Sequence, residues 1–416
     1  MDIMRKDQLY TFTDGGVCSA LGFKAASAAA RIRYKGRDDM ALIYSEADCI
    51  AAGTFTSNVV KAAPVIWDRD IVEAGTPVRA AVVNSGIANA CTGEEGREAC
   101  LRTAEAAAAA LGIGKDQVLI GSTGVIGMQL PLEKISAGIS EMAGKLERSE
   151  DAGLAAEKAI MTTDTKPKQA CVRLEIGGKT VTVGGMAKGS GMIHPNMCTM
   201  LAYVTTDIAI SRELLTKAAK ASVADSFNMI TVDGDTSTND TFLVLANGMA
   251  GNDPVTEENE DYAAFRDALD AVTVSLARQM AGDGEGATAL IEMRVTGAVD
   301  TAQAKILARS VVGSMLTKAA VYGHDANWGR ILCALGYSGA DFDPENVDLT
   351  IASAAGSILI YSGGKACDYS EEEATKILSE EEVTVTADMH MGTAEATAWG
   401  CDLTHEYVNI NADYRS

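Results

Sequence analysis

The chain is 416 residues long, 47% hydrophobic and 22% charged, which argues against disorder and leaves room for two or three structural units around a large core. Acidic side chains outnumber basic ones by 57 to 35, a net charge of −22, which argues against a nucleic-acid surface built from clustered Lys and Arg. The cysteines are odd in number and form no C-x-x-C pair, which favours a reduced, cytoplasmic compartment; residues 1–7 lead into no signal-peptide apolar segment, and no uncharged apolar run approaches the ~20 residues of a membrane span.

In chain order, strands are expected at 41–44 and 80–83, alternating with helices over 97–111 and 132–146. Pro131 suits the entry to the second helix, where a missing N–H costs nothing. Residues 171–176 and 180–183, joined through Gly177-Gly178-Lys179, predict a hairpin. It leads into a segment where Gly189, Gly191 and Pro195 oppose regular structure, and then into Met200-Leu201-Ala202-Tyr203-Val204, which reads as a buried strand. Beyond it, a helix over 212–227 starts at an N-cap, Ser211, and a longer one spans 257–280 with Gly282 as its stop. Strands are expected at 229–232, 242–245 and 290–295, and helices over 302–320 and after Ser370, where Ser370 and Glu373 have capping-box spacing. Residues 407–410 read as a strand. Mixed elements with several hairpin-like pairs and no repeat fit an α+β fold better than a strictly alternating parallel one.

Chemistry concentrates at a few positions. Thr199 opens the 200–204 strand after a broken loop, which makes it a candidate nucleophile. A hydroxyl needs a base, and a threonine at a new chain start can use its own α-amine; cutting the Cys198–Thr199 bond would supply one. Taken alone, though, a β-branched residue at a strand start is ordinary. Thr123-Gly124 offers a hydroxyl and an unobstructed N–H of the kind a tetrahedral intermediate needs, although Ser-Thr-Gly by itself is more often a turn. Lys188 suits a substrate carboxylate. Glu285, between two glycines, suits an α-amino group or a proton transfer, and its charge disfavours a phosphate cradle. His194, His324, His390 and His405 lack metal-ligand spacing, and Asp235 and Asp240 read as solvated loop carboxylates, so no metal is assigned.

Several longer runs accompany the Gly185-to-Leu201 segment: Asn84-Ser85-Gly86, Ser122-Thr123-Gly124-Val125-Ile126-Gly127, Thr162-Thr163-Asp164-Thr165, Asp233-Gly234-Asp235-Thr236-Ser237-Thr238-Asn239-Asp240, Asp283-Gly284-Glu285-Gly286-Ala287-Thr288, Asn327-Trp328-Gly329-Arg330 and Ile410-Asn411-Ala412-Asp413-Tyr414-Arg415-Ser416. In these runs, and over essentially its whole length, the chain resembles the ornithine acetyltransferases, or glutamate N-acetyltransferases, of arginine biosynthesis. The resemblance implies a layered α/β/β/α sandwich of the ornithine acetyltransferase and D-aminopeptidase type, with a smaller C-terminal α+β subdomain from about residue 290 to 416. It also implies self-cleavage into chains 1–198 and 199–416, two copies of each, and acetyl transfer from N2-acetylornithine to glutamate by a ping-pong route through Thr199 with no cofactor. Thr123 and Gly124 would form the oxyanion hole, and Thr162, Lys188, Glu285, Asn411 and Ser416 would line the substrate site. Cys198 stands where the family usually has alanine, and Ile87 where asparagine is more frequent. Acetyl-CoA as a second donor stays open. The rivals are an N-terminal-threonine aminopeptidase or amidase, with water as acceptor, and an amino-acid-binding protein that never cleaves itself.

Overall fold

The computed structural model describes residues 9–194 and 200–413. The first strands are β1 (Tyr10–Thr13), β2 (Phe23–Ala28), β3 (Met40–Phe55), β4 (Val78–Asn84) and β5 (Val118–Ser122). They are followed by β6 (Lys168–Ile176), β7 (Lys179–Lys188), β8 (Leu201–Thr206), β9 (Ile230–Thr231) and β10 (Thr241–Ala246). The helices of this region are α1 (Ala63–Ala74), α2 (Gly93–Leu111), α3 (Leu132–Ala143), α4 (Glu150–Ile160), α5 (Arg212–Asp225) and α6 (Glu260–Gly282). Apart from β9, the strands join in the order β1-β6-β7-β8-β10-β3-β4-β5, with β2 also on β3. The long strand β3 is the pivot. Its first part pairs with β2 and β4, whereas residues 50–55 pair with β10.

Side-chain alternation shows how the path folds over on itself. Leu201 and Tyr203 of β8 and Leu243 and Leu245 of β10 share one core with Ala41 and Ile43 of β3 and Ala81 and Val83 of β4. Successive strand residues point to opposite faces, so the intervening Ala202, Val204, Phe242 and Val244 face outward, into the core that holds α5 and α6. On the other side, Met40, Leu42, Ala80 and Val82 pack with α2 and α3. The layers are therefore helix, sheet, sheet, helix. The α6 stripe Phe265, Leu269, Val272, Leu276 and Met280 is fully buried against one sheet, each side chain contributing roughly 1.5–3 kcal/mol.

The remaining strands, β11 (Leu290–Ala298), β12 (Asp348–Ser353), β13 (Gly356–Ser362), β14 (Lys365–Ala366), β15 (Glu382–Asp388) and β16 (Ala394–Cys401), form a second sheet, ordered β14-β13-β12-β15-β11-β16-β9. Helices α7 (Thr301–Gly313), α8 (Met315–Tyr322), α9 (Trp328–Gly336), α10 (Glu371–Leu378) and α11 (His405–Asp413) accompany it.

Three expectations are corrected. The helix over 302–320 is two helices, because Ser314 leaves helical geometry and accepts a hydrogen bond from Thr317 N, capping a new start. The hairpin runs on to Lys188 despite Gly184 and Gly185. A Cβ on Gly184 would lie 2.2 Å from Gly16 O, so that glycine is there for close approach within a strand. Residues 407–410 are helical: Thr404 Oγ1 accepts from Tyr407 N and starts α11.

The two halves of the chain interleave. β8 and β10 lie after residue 199, yet they sit between β7 and β3, which lie before it; β8 is antiparallel to β7 and β10 antiparallel to β3.

Candidate active site

β4 and β5 run parallel and end together at Asn84 and Ser122, and the segments beyond them are zipped to one another. Thr123 N donates to Asn84 O (3.0 Å), Val125 N to Gly86 O (3.1 Å) and Ala88 N to Val125 O (2.9 Å). Between these committed donors, Gly124 N–H has no partner among the described residues. Gly124 has φ +128°, and a Cβ there would lie 2.3 Å from the Gly86 carbonyl carbon, so only glycine fits. Two asparagines fix this loop pair. Asn84 Nδ2 donates to Ile87 O while its Oδ1 accepts from Ser122 Oγ, and Asn239 Nδ2 donates to both Ala88 O and Ser122 O. A hydroxyl and a free N–H are thus held rigidly side by side, as an oxyanion site requires.

Lys188 is the last residue of β7 rather than a loop residue, paired with Leu201 of β8. It is 3% exposed, and its Nζ donates to Thr162 Oγ1 at 2.9 Å and lies 3.7 Å from Asp164 Oδ2. Burial lowers its pKa, only partly countered by Asp164 and Glu285. Asp164 gathers the segments around it: Oδ2 accepts from Thr162 N, and Oδ1 from Gly189 N and Lys168 Nζ. Burial works to raise the Asp164 pKa, but the two lysines outweigh it and hold the carboxyl well below the usual range.

Behind this cluster, Glu157 Oε1 accepts from Lys168 N at 2.6 Å, and burial pushes the carboxyl from 4.5 up to about 8. A pKa raised on folding contributes stability that is full below the ordinary carboxylate value and lost as pH rises through the folded one. Urea titrations of Glu157→Gln should therefore show less loss of stability between pH 4.5 and 8 than wild type, and parallel curves would show that Glu157 does not titrate in that window.

From the C-terminal half, Glu285 follows α6; its N–H donates to Ser190 O and its carboxylate accepts from Asn411 Nδ2 at 2.7 Å. Gly191 makes room for it, because a Cβ there would lie 2.3 Å from the Glu285 carboxyl. Asp233 accepts from Met192 N, Ile193 N and Tyr407 Oη, tying the loop before residue 195 to α11. Met200 is held at both backbone groups, its N–H by Asp240 Oδ1 and its carbonyl by Thr241 N. Asp240 is fully buried, with its pKa pushed well above the ordinary value by burial, which corrects the reading of it as solvated; Asp235 is exposed.

Thr123, Gly124, Thr162, Lys188, Glu285 and Asn411, the sequence-derived candidates within the described residues, all line one small cavity of about 100 Å³. Cys198, Thr199 and Ser416 lie outside the described residues. Two roomier clefts, of about 520 and 890 Å³, include none of those candidates, so size is a poor guide here. Sequence reasoning gives no role to Asp164, Lys168, Asp233 or Asn239. All but Lys168 fall inside the motif runs; Lys168 opens a strand and carries no local signal. Among the described residues no group of three or more His, Cys, Asp or Glu is placed to hold a metal, and no helix is long and apolar enough to cross a membrane.

Comparison with known proteins places the chain in a family. The ArgJ family pattern matches residues 24–416. An arginine biosynthesis bifunctional protein ArgJ of Symbiobacterium thermophilum is 54% identical over 97% of this chain and 99% of its own length. The protein of the same name from Thermotoga neapolitana is 52% identical over 95% and 99%. Among solved structures, an arginine biosynthesis bifunctional protein argJ from Bacillus halodurans is 47% identical, covers 50% of this chain and 97% of its own, and superposes with a TM-score of 0.48. The family pattern over residues 24–416, together with 54% and 52% identity over nearly the full length of the two curated proteins, establishes that the chain belongs to the ArgJ family.

Proposed function

We infer that the cavity carries acetyl transfer through Thr199. Membership of the ArgJ family makes the chain an acetyltransferase of arginine biosynthesis, moving acetyl from N2-acetylornithine to glutamate. The finer mechanism is our reading. The Thr199 hydroxyl attacks the Cys198 carbonyl, the acyl group passes from nitrogen to oxygen, and water hydrolyses the resulting ester, leaving chains 1–198 and 199–416, with the latter carrying the subdomain from about residue 290. The new α-amine then takes the Oγ proton as Oγ attacks the acetyl carbonyl. Negative charge develops on that carbonyl oxygen, facing Thr123 Oγ1 and Gly124 N–H. Ornithine leaves with a proton returned from the amine, and the α-amine of glutamate attacks the resulting ester. Lys188 holds the α-carboxylate of either substrate, Glu285 stands by the α-nitrogen, and Thr162, Asn411 and Ser416 complete the walls. Donor and acceptor share an α-amino-acid core, so one site serves both, and that requires a covalent stage between them. Two copies of each chain would make the assembly, and acetyl-CoA would enter, where it acts, as an alternative acetyl source for the same ester.

The observation that carries this reading is the convergence of a Gly124 N–H without a partner among the described residues, an ammonium at Lys188 and a carboxylate at Glu285 on one cavity. Incubation with N2-acetylornithine and no glutamate should leave one acetyl group on the peptide that begins at Thr199, read by peptide mass mapping. Absence of that label, or intersecting initial-rate lines, would sink the ping-pong route. Steady release of free acetate without glutamate would favour an amidase instead.

A further inference from the structure

Lys188 belongs to a set of four buried charges. Lys168 is fully buried, and its ammonium donates to Asp164 Oδ1 (2.8 Å), Asp283 Oδ2 (2.6 Å) and Lys166 O (3.0 Å). Asp283 also accepts from the N–H groups of Thr165 and Lys166. Asp164 therefore faces two lysines, and the contacts are unequal. It makes a short hydrogen bond with Lys168, whereas Lys188 lies 3.7 Å away, beyond hydrogen-bond range, and directs its short bond to the neutral Thr162 hydroxyl. Among the described residues no ion pair joins Lys188 to Asp283. A carboxylate in so dry a place must be paired. Were Lys168 missing, the cation within reach of Asp164 would be Lys188 itself.

We propose that Lys168 is a positioning residue: by satisfying Asp164 and Asp283 it keeps the Lys188 ammonium out of a short hydrogen bond with Asp164 and available to the substrate's α-carboxylate. This rests on the assignment of Lys188 to that carboxylate. Lys168 touches no substrate; it acts by withholding a competitor from Lys188. In this arrangement Lys168 is bound tightly by the two aspartates and Lys188 loosely.

Two double variants of equal net charge separate this role from mere structural support. In Lys168→Met/Asp283→Asn, Asp164 is left facing Lys188 and should draw it in. In Lys168→Met/Asp164→Asn that competitor is gone. The first should show a KM for N2-acetylornithine at least about tenfold above that of the second, with kcat differing far less, because ground-state binding is what changes. For N-acetylputrescine, which lacks the α-carboxylate, the two should have the same kcat/KM. Equal KM values for N2-acetylornithine in the two variants would overturn the proposal, as would a difference that persists with N-acetylputrescine. Lys188→Met serves as the control on the underlying assignment: if it leaves KM for N2-acetylornithine unchanged, Lys188 does not hold the carboxylate. If it raises KM while the two doubles agree, only the role of Lys168 falls. Circular dichroism and thermal melts of each variant confirm that folded proteins are compared.

Discussion

A Thr199→Ala chain should run as one uncut chain of 416 residues in denaturing electrophoresis and show no measurable acetyl transfer, where wild type should give two bands of similar size. In the proposed mechanism, the substitution removes the hydroxyl that starts the shift of the acyl group from nitrogen to oxygen, and with it the atom that later carries acetyl. It leaves the scaffold intact, because the next residue, Met200, is fixed by Asp240 and Thr241, and Leu201 by its pairing with Lys188. Thr199→Ser should retain both reactions, since it keeps a hydroxyl at the same place. N-terminal sequencing of the smaller wild-type fragments should begin at Thr199. Cleavage of Thr199→Ala at the same bond would show that another group is the agent. Cys198, small like the alanine usual at that position, should permit the cut, and the time course of band conversion reports its rate.

The second large effect is expected at Thr123. Removing one oxyanion donor typically costs about 2.7–4 kcal/mol, or ~100–1,000-fold in turnover. Thr123→Ala should lower kcat by that order while changing the KM for N2-acetylornithine little. The test is clean because the Thr123 backbone is held by Asn84 O, independently of the side chain. Gly124 does not offer the same experiment, since any Cβ there collides with the Gly86 backbone. A Thr123→Ala enzyme with near-normal kcat would remove that hydroxyl from the mechanism, and slowed self-cleavage in the same variant would indicate that both reactions use one hole.

Local signals placed most of the elements. Ser211 and Ser370 accept the N-cap hydrogen bonds their positions suggest, and runs such as Phe242-Leu243-Val244-Leu245 are strands buried on both faces. Tyr407-Val408-Asn409-Ile410 misled because a short run of β-formers says little about context. A threonine cap in front, with Tyr407 anchored on distant Asp233, makes it a helix. Likewise, Gly184 and Gly185 look like a strand's end until the Gly16 backbone is seen pressing against Gly184, and Leu276 and Val272 of α6 against Gly185. Residue chemistry singles out Thr123, Gly124, Lys188 and Glu285, motif resemblance adds Thr162 and Asn411, and the cavity they share is a product of tertiary folding. Lys168 was invisible for the same reason. Its partners are Asp164, four residues away, and Asp283, more than a hundred residues on, and the carboxylates it neutralises can be read only in three dimensions.

The interleaving of strands across residue 199 bears on how the mature protein unfolds and renews itself. Were the bond cut as proposed, β8 and β10 of one piece would remain laced between β7 and β3 of the other, and separating the pieces would break the sheet in two places. Denaturation would change the order of the reaction. The uncut precursor finds its partners within one molecule, at a rate independent of concentration. Two severed pieces must first meet, and recovery would then slow in proportion to dilution. Maturation would thus act as a ratchet, with folding easy once, before the cut, and concentration-limited ever after.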